Sequence, residues 1–324
     1  MSVKKEILKI LEENRGKNLS GQDIADKLSV SRAAVWKAIR SLKEQGYQIY
    51  ATTNKGYRMD ENSDVLSVEG IRAFLDECYQ ENNVLIYESL DSTNSHAKRL
   101  VIDGIEHGSI IIADEQTAGR GRLGRSFFSP AHTGLYMSLV LRPKRDIYDS
   151  VLITIAAAVA VCLVIEELTN ESPKIKWVND VFLDKKKICG ILTEGIGDLE
   201  TGAIESIVVG IGVNLTTAAE KFPAEIKDKA GSVWRKGVYR NILAAKIANN
   251  LLRLQENLTD PQLIAEYKSR SFIIDKDILY QKNGTDYLGH VLDINDRGNL
   301  VVRTSSEDII ILESGEVTIR ETCL

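Results

Sequence analysis

The run from Val151 to Ile165 constrains the fold more than any other stretch, because its 15 residues are apolar apart from Thr154. A helix that is apolar on every side has to be buried on every side. A membrane span needs about 20 such residues, so this run is too short for one. It predicts a helix sealed behind a sheet, inside a domain large enough to enclose it. At 324 residues, 44% hydrophobic and 27% charged, the chain has an ordinary globular composition and the length for two or three domains.

Charge is divided unevenly. Residues 1–60 hold 12 Lys and Arg against 7 Asp and Glu, a net of +5, while the rest holds 29 against 39, a net of −10. A basic head on an acidic body favours a polyanionic partner for the head alone. Cys78, Cys162, Cys189 and Cys323 show no Cys-x-x-Cys spacing and read as reduced thiols of a cytoplasmic protein. The N-terminus shows no signal-peptide apolar core, and no membrane partner is expected.

The head carries three helical patterns. Val3, Ile7, Ile10 and Leu11 share one helix face, and Ile24, Ala25 and Leu28 share a second. Ser20 followed by Asp23 resembles a capping box, and Ser31 caps a third helix running from Arg32 towards Gln45 and stopping at Gly46. Two short strands, Tyr47–Thr52 and Gly56–Met59, flank the Thr53-Asn54-Lys55 turn. The order predicts a winged helix-turn-helix, residues 1–62, whose third helix would enter the DNA major groove. Ser31, Arg32, Ala33, Trp36, Lys37 and Arg40 fall on its exposed face. Arg32 and Lys37 suit guanine edges, and Arg40, Lys43 and the wing's Lys55 suit phosphates. The alternative is a helical head used for protein contacts.

Polar residues Asp60–Asp64 form a linker to a body, residues 66–270, of α+β type. Apolar strands are predicted at Val84–Glu88, Ser109–Ala113, Leu135–Leu141, Lys174–Trp177, Ile188–Thr193 and Glu205–Ile211, with helices notably at Asn94–Ile102, Val151–Thr169 and Asn241–Leu258. The tail, residues 271–324, changes to short alternating strands such as Asn299–Arg303 and Ile309–Leu312. Turns at Asn283-Gly284 and Asp296-Arg297-Gly298 punctuate it, so it reads as a small all-β barrel.

The chemistry concentrates in Gly119-Arg-Gly-Arg-Leu-Gly-Arg125. Arginines present planar donors that match phosphate and carboxylate oxygens, and the glycines between them let backbone approach a ligand closely. This is not a phosphate-binding Walker loop, because Arg125 replaces its lysine and Pro130 blocks the helix that must follow. Gly210-Ile-Gly212-Val-Asn214 lacks the third glycine of a dinucleotide site. His96, His107, His132 and His290 are scattered, and no Ser or Cys nucleophile motif is present. Clustered cations without a nucleophile point to phosphoryl or adenylyl transfer.

Four motifs occur in order: Glu88-Ser-Leu-Asp-Ser92-Thr93-Asn94, Asp114-Glu-Gln116-Thr-Ala-Gly-Arg120-Gly121-Arg122, Lys176-Trp-Val-Asn179-Asp180 and Lys187-Ile-Cys-Gly190. With the head, the chain resembles the biotin–protein ligases that double as biotin-operon repressors. The resemblance implies a core related to class II tRNA synthetases and an SH3-like C-terminal barrel. It implies ATP and Mg²⁺ as cofactors, biotin as substrate, and biotinyl-5′-adenylate as intermediate and corepressor. The implied partners are the biotin carboxyl carrier protein of acetyl-CoA carboxylase, operator DNA and a second copy in a ligand-favoured homodimer.

Residue by residue, Ser92, Thr93, Asn94 and Gln116 match biotin contacts of that family. Arg120, Gly121 and Arg122 match its ligand-closing loop, and Lys187 matches its carboxylate- and phosphate-binding lysine. Lys187, Arg122 and Asp180 are the expected catalytic group, with Asp180 also the candidate Mg²⁺ ligand. Arg122, Arg125, Phe127, Asn179, Lys187 and Asn214 are the expected nucleotide contacts. Plainer readings make Arg125 a surface ion pair, Trp177 a core residue and Asn214 a turn cap. Two positions depart from the family: Val178 where proline is usual, and Phe127 where tryptophan is common. A lipoate-type ligase and a DNA-binding metabolite sensor without ligase activity are the alternatives.

Overall fold

The computed structural model describes residues 2–142, 149–197, 204–233, 238–282, 285–313, 315 and 317–319. The head folds as α1 (Val3–Glu13), α2 (Gly21–Leu28), α3 (Arg32–Glu44) and a hairpin of β1 (Ile49–Thr52) and β2 (Gly56–Met59). Ser20 Oγ accepts from the backbone N–H groups of Gln22 and Asp23, and Ser31 Oγ accepts from Ala34 N at 3.1 Å. These caps satisfy donors that a helix start leaves open. Ile7, Leu11, Ile24, Val35, Ile39 and Leu42 close the head's own core.

The body contains α4 (Val68–Arg72), β3 (Val84–Leu90), α5 (Thr93–Ile102), β4 (Ile110–Gln116), β5 (Gly134–Leu141) and α6 (Asp149–Thr169). It continues through β6 (Lys174–Lys176), β7 (Asp180–Leu183), β8 (Lys186–Gly197), β9 (Ile204–Asn214), α7 (Arg240–Leu254) and α8 (Pro261–Arg270). Seven strands form one mixed sheet in the order β3-β4-β5-β9-β8-β7-β6, parallel only between β3 and β4. Helix α6 is the predicted sealed helix. It packs against β7, β8 and β9 on one side and α7 and α8 on the other. Ser150–Thr169 has the length and hydropathy of a membrane span, yet 72% of its most apolar window is buried in protein. Helix α5 covers the opposite face of the sheet over Ile111, Val140 and Val208.

The tail forms β10 (Asp277–Lys282), β11 (Thr285–Ile294), β12 (Leu300–Thr304), β13 (Ile309–Leu312) and β14 (Val317–Ile319), antiparallel in the order β13-β12-β11-β10-β14. The expected closed barrel is not shown: among the described residues β13 and β14 are the two edges of an open sheet. The predicted Asn283-Gly284 turn lies outside the described residues, between paired β10 and β11. Ile278, Val291 and Val302 share one continuous core with the body, so the tail is packed onto it. Trp177 Nε1 donates to Gly298 O at 2.8 Å, which fastens the Asp296-Arg297-Gly298 turn to the end of β6.

Candidate active site

Two polar groups face the α5 side of the sheet. The first gathers where α5 begins. Ser92 caps that helix through a contact from Ser95 N, and Thr93 places both its N–H and its Oγ1 on Gln116 Oε1, at 2.9 and 3.1 Å. Gln116 Nε2 donates to Ser129 Oγ at 2.8 Å. Ser138 Oγ lies 2.8 Å from Thr93 Oγ1 and 2.7 Å from Asn94 Oδ1. Asn94 gives its amide protons to Leu192 O and Glu194 Oε2, so it ties α5 to β8 and keeps only Oδ1 for accepting. The free donor capacity of this group is the Ser92 hydroxyl and the second Gln116 amide proton.

The second group is cationic. The arginine loop is pinched by Phe127 N donating to Gly119 O at 2.8 Å and Gly121 N donating to Arg125 O at 2.6 Å. Gly119 is required by close approach, since a Cβ there would meet the Phe127 carbonyl and stand 2.8 Å from Ser129 Oγ. Arg122 Nη1 donates to Asn179 Oδ1 at 3.2 Å, and Asn179 Nδ2 donates to Ile191 O. Lys187 Nζ stands 2.7 Å from Asp180 Oδ1, and both side chains are half-buried. That oxygen has no aligned hydrogen-bond donor, so the contact is an ion pair. Phe127 lies across the paired glycines Gly190 and Gly212 of β8 and β9, which leave its ring room to approach the sheet. Asn214 is buried: its Nδ2 donates to Gly231 O at 3.0 Å and its Oδ1 is unpartnered. Arg125 is exposed at the loop's edge, and Trp177 is buried core.

The four motifs, far apart in sequence, therefore meet on one face. In the head, α3 exposes Arg32, Ala33, Trp36, Lys37 and Arg40, Ser31 caps it, and Lys55 is exposed on the wing. Among the described residues no three His, Cys, Asp or Glu side chains gather as a metal cage. Asp180 is a single hard carboxylate whose Oδ1 already carries Lys187, so it would supply one ligand at most to a Mg²⁺ held otherwise by nucleotide phosphates.

Residues 3–58 match the HTH domain family and residues 86–214 the biotin/lipoate A/B protein ligase family. Over 313 residues the chain is 34% identical to the bifunctional ligase/repressor BirA of Bacillus subtilis, covering 94% of this chain and 95% of that one. The chain belongs to the bifunctional ligase/repressor family. Its ligase part extends to relatives such as the biotin–[acetyl-CoA-carboxylase] ligase of Mycobacterium tuberculosis, 30% identical over 71% of this chain and 86% of the relative. The solved biotin protein ligase of Aquifex aeolicus, in complex with biotin and ATP, superposes with a TM-score of 0.61 at 26% identity, covering 74% of this chain and 99% of that chain.

Membership of the ligase/repressor family does not by itself single out three residues that the geometry does. Ser138 joins Thr93 to Asn94 from the middle of β5. Glu194 collects Lys98 Nζ at 2.8 Å and Arg120 Nη1 at 3.3 Å. Arg240, buried at the start of α7, donates its Nε to Asp64 Oδ2 at 2.8 Å and pairs with Asp114. Each sits outside the ordered motifs, and no local pattern marks it.

Proposed function

We propose that this chain is an ATP-dependent biotin–[acetyl-CoA-carboxylase] ligase and a biotinyl-adenylate-dependent repressor of biotin genes. Three parts divide the work: residues 1–62 bind operator DNA, 66–270 carry the ligase, and 271–324 form an SH3-like barrel beside a synthetase-like core. The observation that carries the reading is the facing of two groups. The Ser92, Thr93 and Gln116 cluster offers donors and acceptors suited to a ureido ring, and the Arg122, Lys187 and Asn179 cluster suits anions.

In the first step a carboxylate oxygen of biotin attacks the α-phosphorus of ATP and the bond to the β-phosphate breaks, releasing pyrophosphate. Two anions must meet, so Lys187 and Arg122 offset their repulsion and stabilise the added charge of the transition state more than the ground state. Phe127 gives the nucleotide an apolar surface, and Asn214 and Arg125 are its further contacts. Asp180 would hold a Mg²⁺ arriving with the nucleotide, and that ion would supply neutralisation of phosphate charge. In the second step the amine of a carrier lysine attacks the acyl carbon, AMP leaves and the amine's proton is lost. Arg120 and Gly121 close over the biotin end meanwhile.

When unmodified carrier is exhausted, the adenylate stays bound and favours a homodimer whose two heads match a two-fold operator. Reaction and repression both belong in the cytoplasm. Incubation with biotin, MgATP and a carrier domain, followed by mass spectrometry, is expected to show biotin added to one lysine of the carrier. Biotin-dependent exchange of pyrophosphate into ATP, with lipoate inert, excludes a lipoate ligase; no exchange with either acid leaves a metabolite sensor.

A further inference from the structure

We propose that Glu194 is a positioning residue that latches the arginine loop over the biotin end of the site. The inference rests on the ligase reading above and adds to it a residue outside the four motifs. One carboxylate joins three elements. Its Oε2 accepts from Asn94 Nδ2 at 2.9 Å, its Oε1 lies 2.8 Å from Lys98 Nζ on the next turn of α5, and the same oxygen lies 3.3 Å from Arg120 Nη1 on the loop. Glu194 itself is held on β8, opposite Val208 of β9. Its side chain is only 17% exposed, against 46% for Arg120.

The loop's internal bonds, Gly121 to Arg125 and Gly119 to Phe127, set its shape but not its place on the body. Arg122 reaches the body through Asn179, at the end where the phosphate is proposed to bind. An incoming anion competes for that arginine. At the other end backbone bonds from Thr117 N to Leu90 O and Ala118 N to Asp91 O hold the loop's entry, and Arg120 and Glu194 form the side-chain attachment beyond them, where a ligand phosphate does not compete. The Glu194 end is fixed by Asn94 and Lys98, so pairing orders the loop's side chain alone and costs less entropy than pairing two free chains. The Arg120 end is half in water, where an ion pair is weak. The latch therefore opens for ligand entry and slows ligand escape without taking part in bond making.

Glu194→Gln keeps the acceptor for Asn94 and removes the charge. The substitution is expected to speed release of biotinyl-adenylate about 3- to 10-fold and to raise KM for biotin by a similar factor. Turnover at saturating biotin should stay within about twofold, which separates a latch from a catalytic group. In the unliganded protein, trypsin should cut after Arg120, Arg122 and Arg125 faster by a comparable factor. Arg120→Gln breaks the same contact from the loop side and should speed cleavage after Arg122 and Arg125 equally, with no addition in the double variant. That arm stands even if Glu194→Gln fails to fold. A wild-type protein that neither makes nor retains biotinyl-adenylate overturns the ligase reading. A wild-type protein that does both, with release and trypsin rates unchanged in Glu194→Gln and Arg120→Gln, overturns the latch alone, as does additivity of the two substitutions.

Discussion

Lys187 Nζ stands 2.7 Å from Asp180 Oδ1 across the β7–β8 hairpin. The ion pair holds the ammonium beside Asp180, and on the proposed reading an incoming anion competes with that carboxylate for it. Lys187→Gln keeps a polar side chain, one bond shorter, and removes the charge that on the proposed reading offsets two meeting anions. Biotin-dependent pyrophosphate exchange is expected to fall by about 10²- to 10³-fold, the range for removing one preorganised electrostatic donor. Unchanged exchange in a folded variant would remove Lys187 from the reaction.

Gly212 makes room for Phe127. A Cβ at 212 would stand 2.5 Å from Phe127 Cε1 and 2.7 Å from Cζ, closer than real side chains approach. Gly212→Ala is therefore expected to push the ring off the glycine pair, destabilise the fold by about 1–3 kcal/mol and raise KM for ATP more than KM for biotin. Steady-state exchange with each substrate varied in turn checks this, and equal effects on both would show that Phe127 serves the whole pocket rather than its nucleotide end.

Arg240 fastens the linker between head and body. It is 4% exposed, donates its backbone N–H and Nε to the Asp64 carboxylate and Nη2 to Asp64 O, and pairs with Asp114, two residues before β4 ends at Gln116. Arg240→Ala leaves two carboxylates without their shared cation and is expected to destabilise the protein by about 3–5 kcal/mol in urea unfolding. Arg240→Lys should recover little of this, because an ammonium cannot reproduce the fork's several directions. A loss below about 1 kcal/mol would mean that water replaces the arginine at this junction.

The head was the most legible part of the sequence. Ser20, Ser31 and Gly46 punctuate its helices, and local chemistry alone sets those boundaries. Helix α6 was legible for a different reason, since its apolar run has one solution. Strand β7 was not, because its four residues alternate only as far as Val181 and Leu183, and the turn after it is made by Asp184 and Lys185 at positive φ rather than by a glycine. Helix α8 was missed as well: Pro261 starts it correctly, but only Leu263, Ile264 and Tyr267 are buried. In the site, motif residues were legible and their partners were not. Glu194 meets Asn94 across 100 positions, and Arg240 meets Asp64 across 176, so strand register and helix docking bring them together rather than any spacing.

Acid should undo the Glu194 cluster in a defined direction. Burial raises its carboxyl, but hydrogen bonds from Lys98 and Asn94, with the charges of Lys98 and Arg120, outweigh burial and hold it below the usual glutamate value of 4.5. The folded protein thus binds this proton more weakly than the unfolded chain does. The stability it contributes is present above the ordinary glutamate range and is lost as pH falls through the lower folded value. In urea unfolding the advantage of wild type over Glu194→Gln is expected in full at pH 7 and to shrink as pH falls below the ordinary glutamate value. An advantage that grows on acidification would show that burial, not pairing, governs this carboxylate.

The head separates recognition from attraction. Arg32 sits at the first turn of α3, just after the Ser31 cap, where a helix in the major groove reaches base edges. Lys55 sits exposed on the wing, where phosphates pass. Arg40 is partly engaged, with its Nε 3.0 Å from Glu44 Oε1 and its guanidinium 5.7 Å from the Trp36 ring, so it is oriented before DNA arrives. With biotin and ATP present, Arg32→Ala is expected to weaken binding to biotin-operon DNA by about 1–3 kcal/mol per contacted half-site while leaving random DNA nearly unaffected. Lys55→Ala should weaken both equally and lower the slope of log K against log salt by about 1 per head. Fluorescence anisotropy over a salt series measures both, and pyrophosphate exchange should stay at the wild-type rate in each. If Arg32→Ala lowers random-sequence binding as much as operator binding, α3 touches only the backbone, and base recognition belongs to another part of the head.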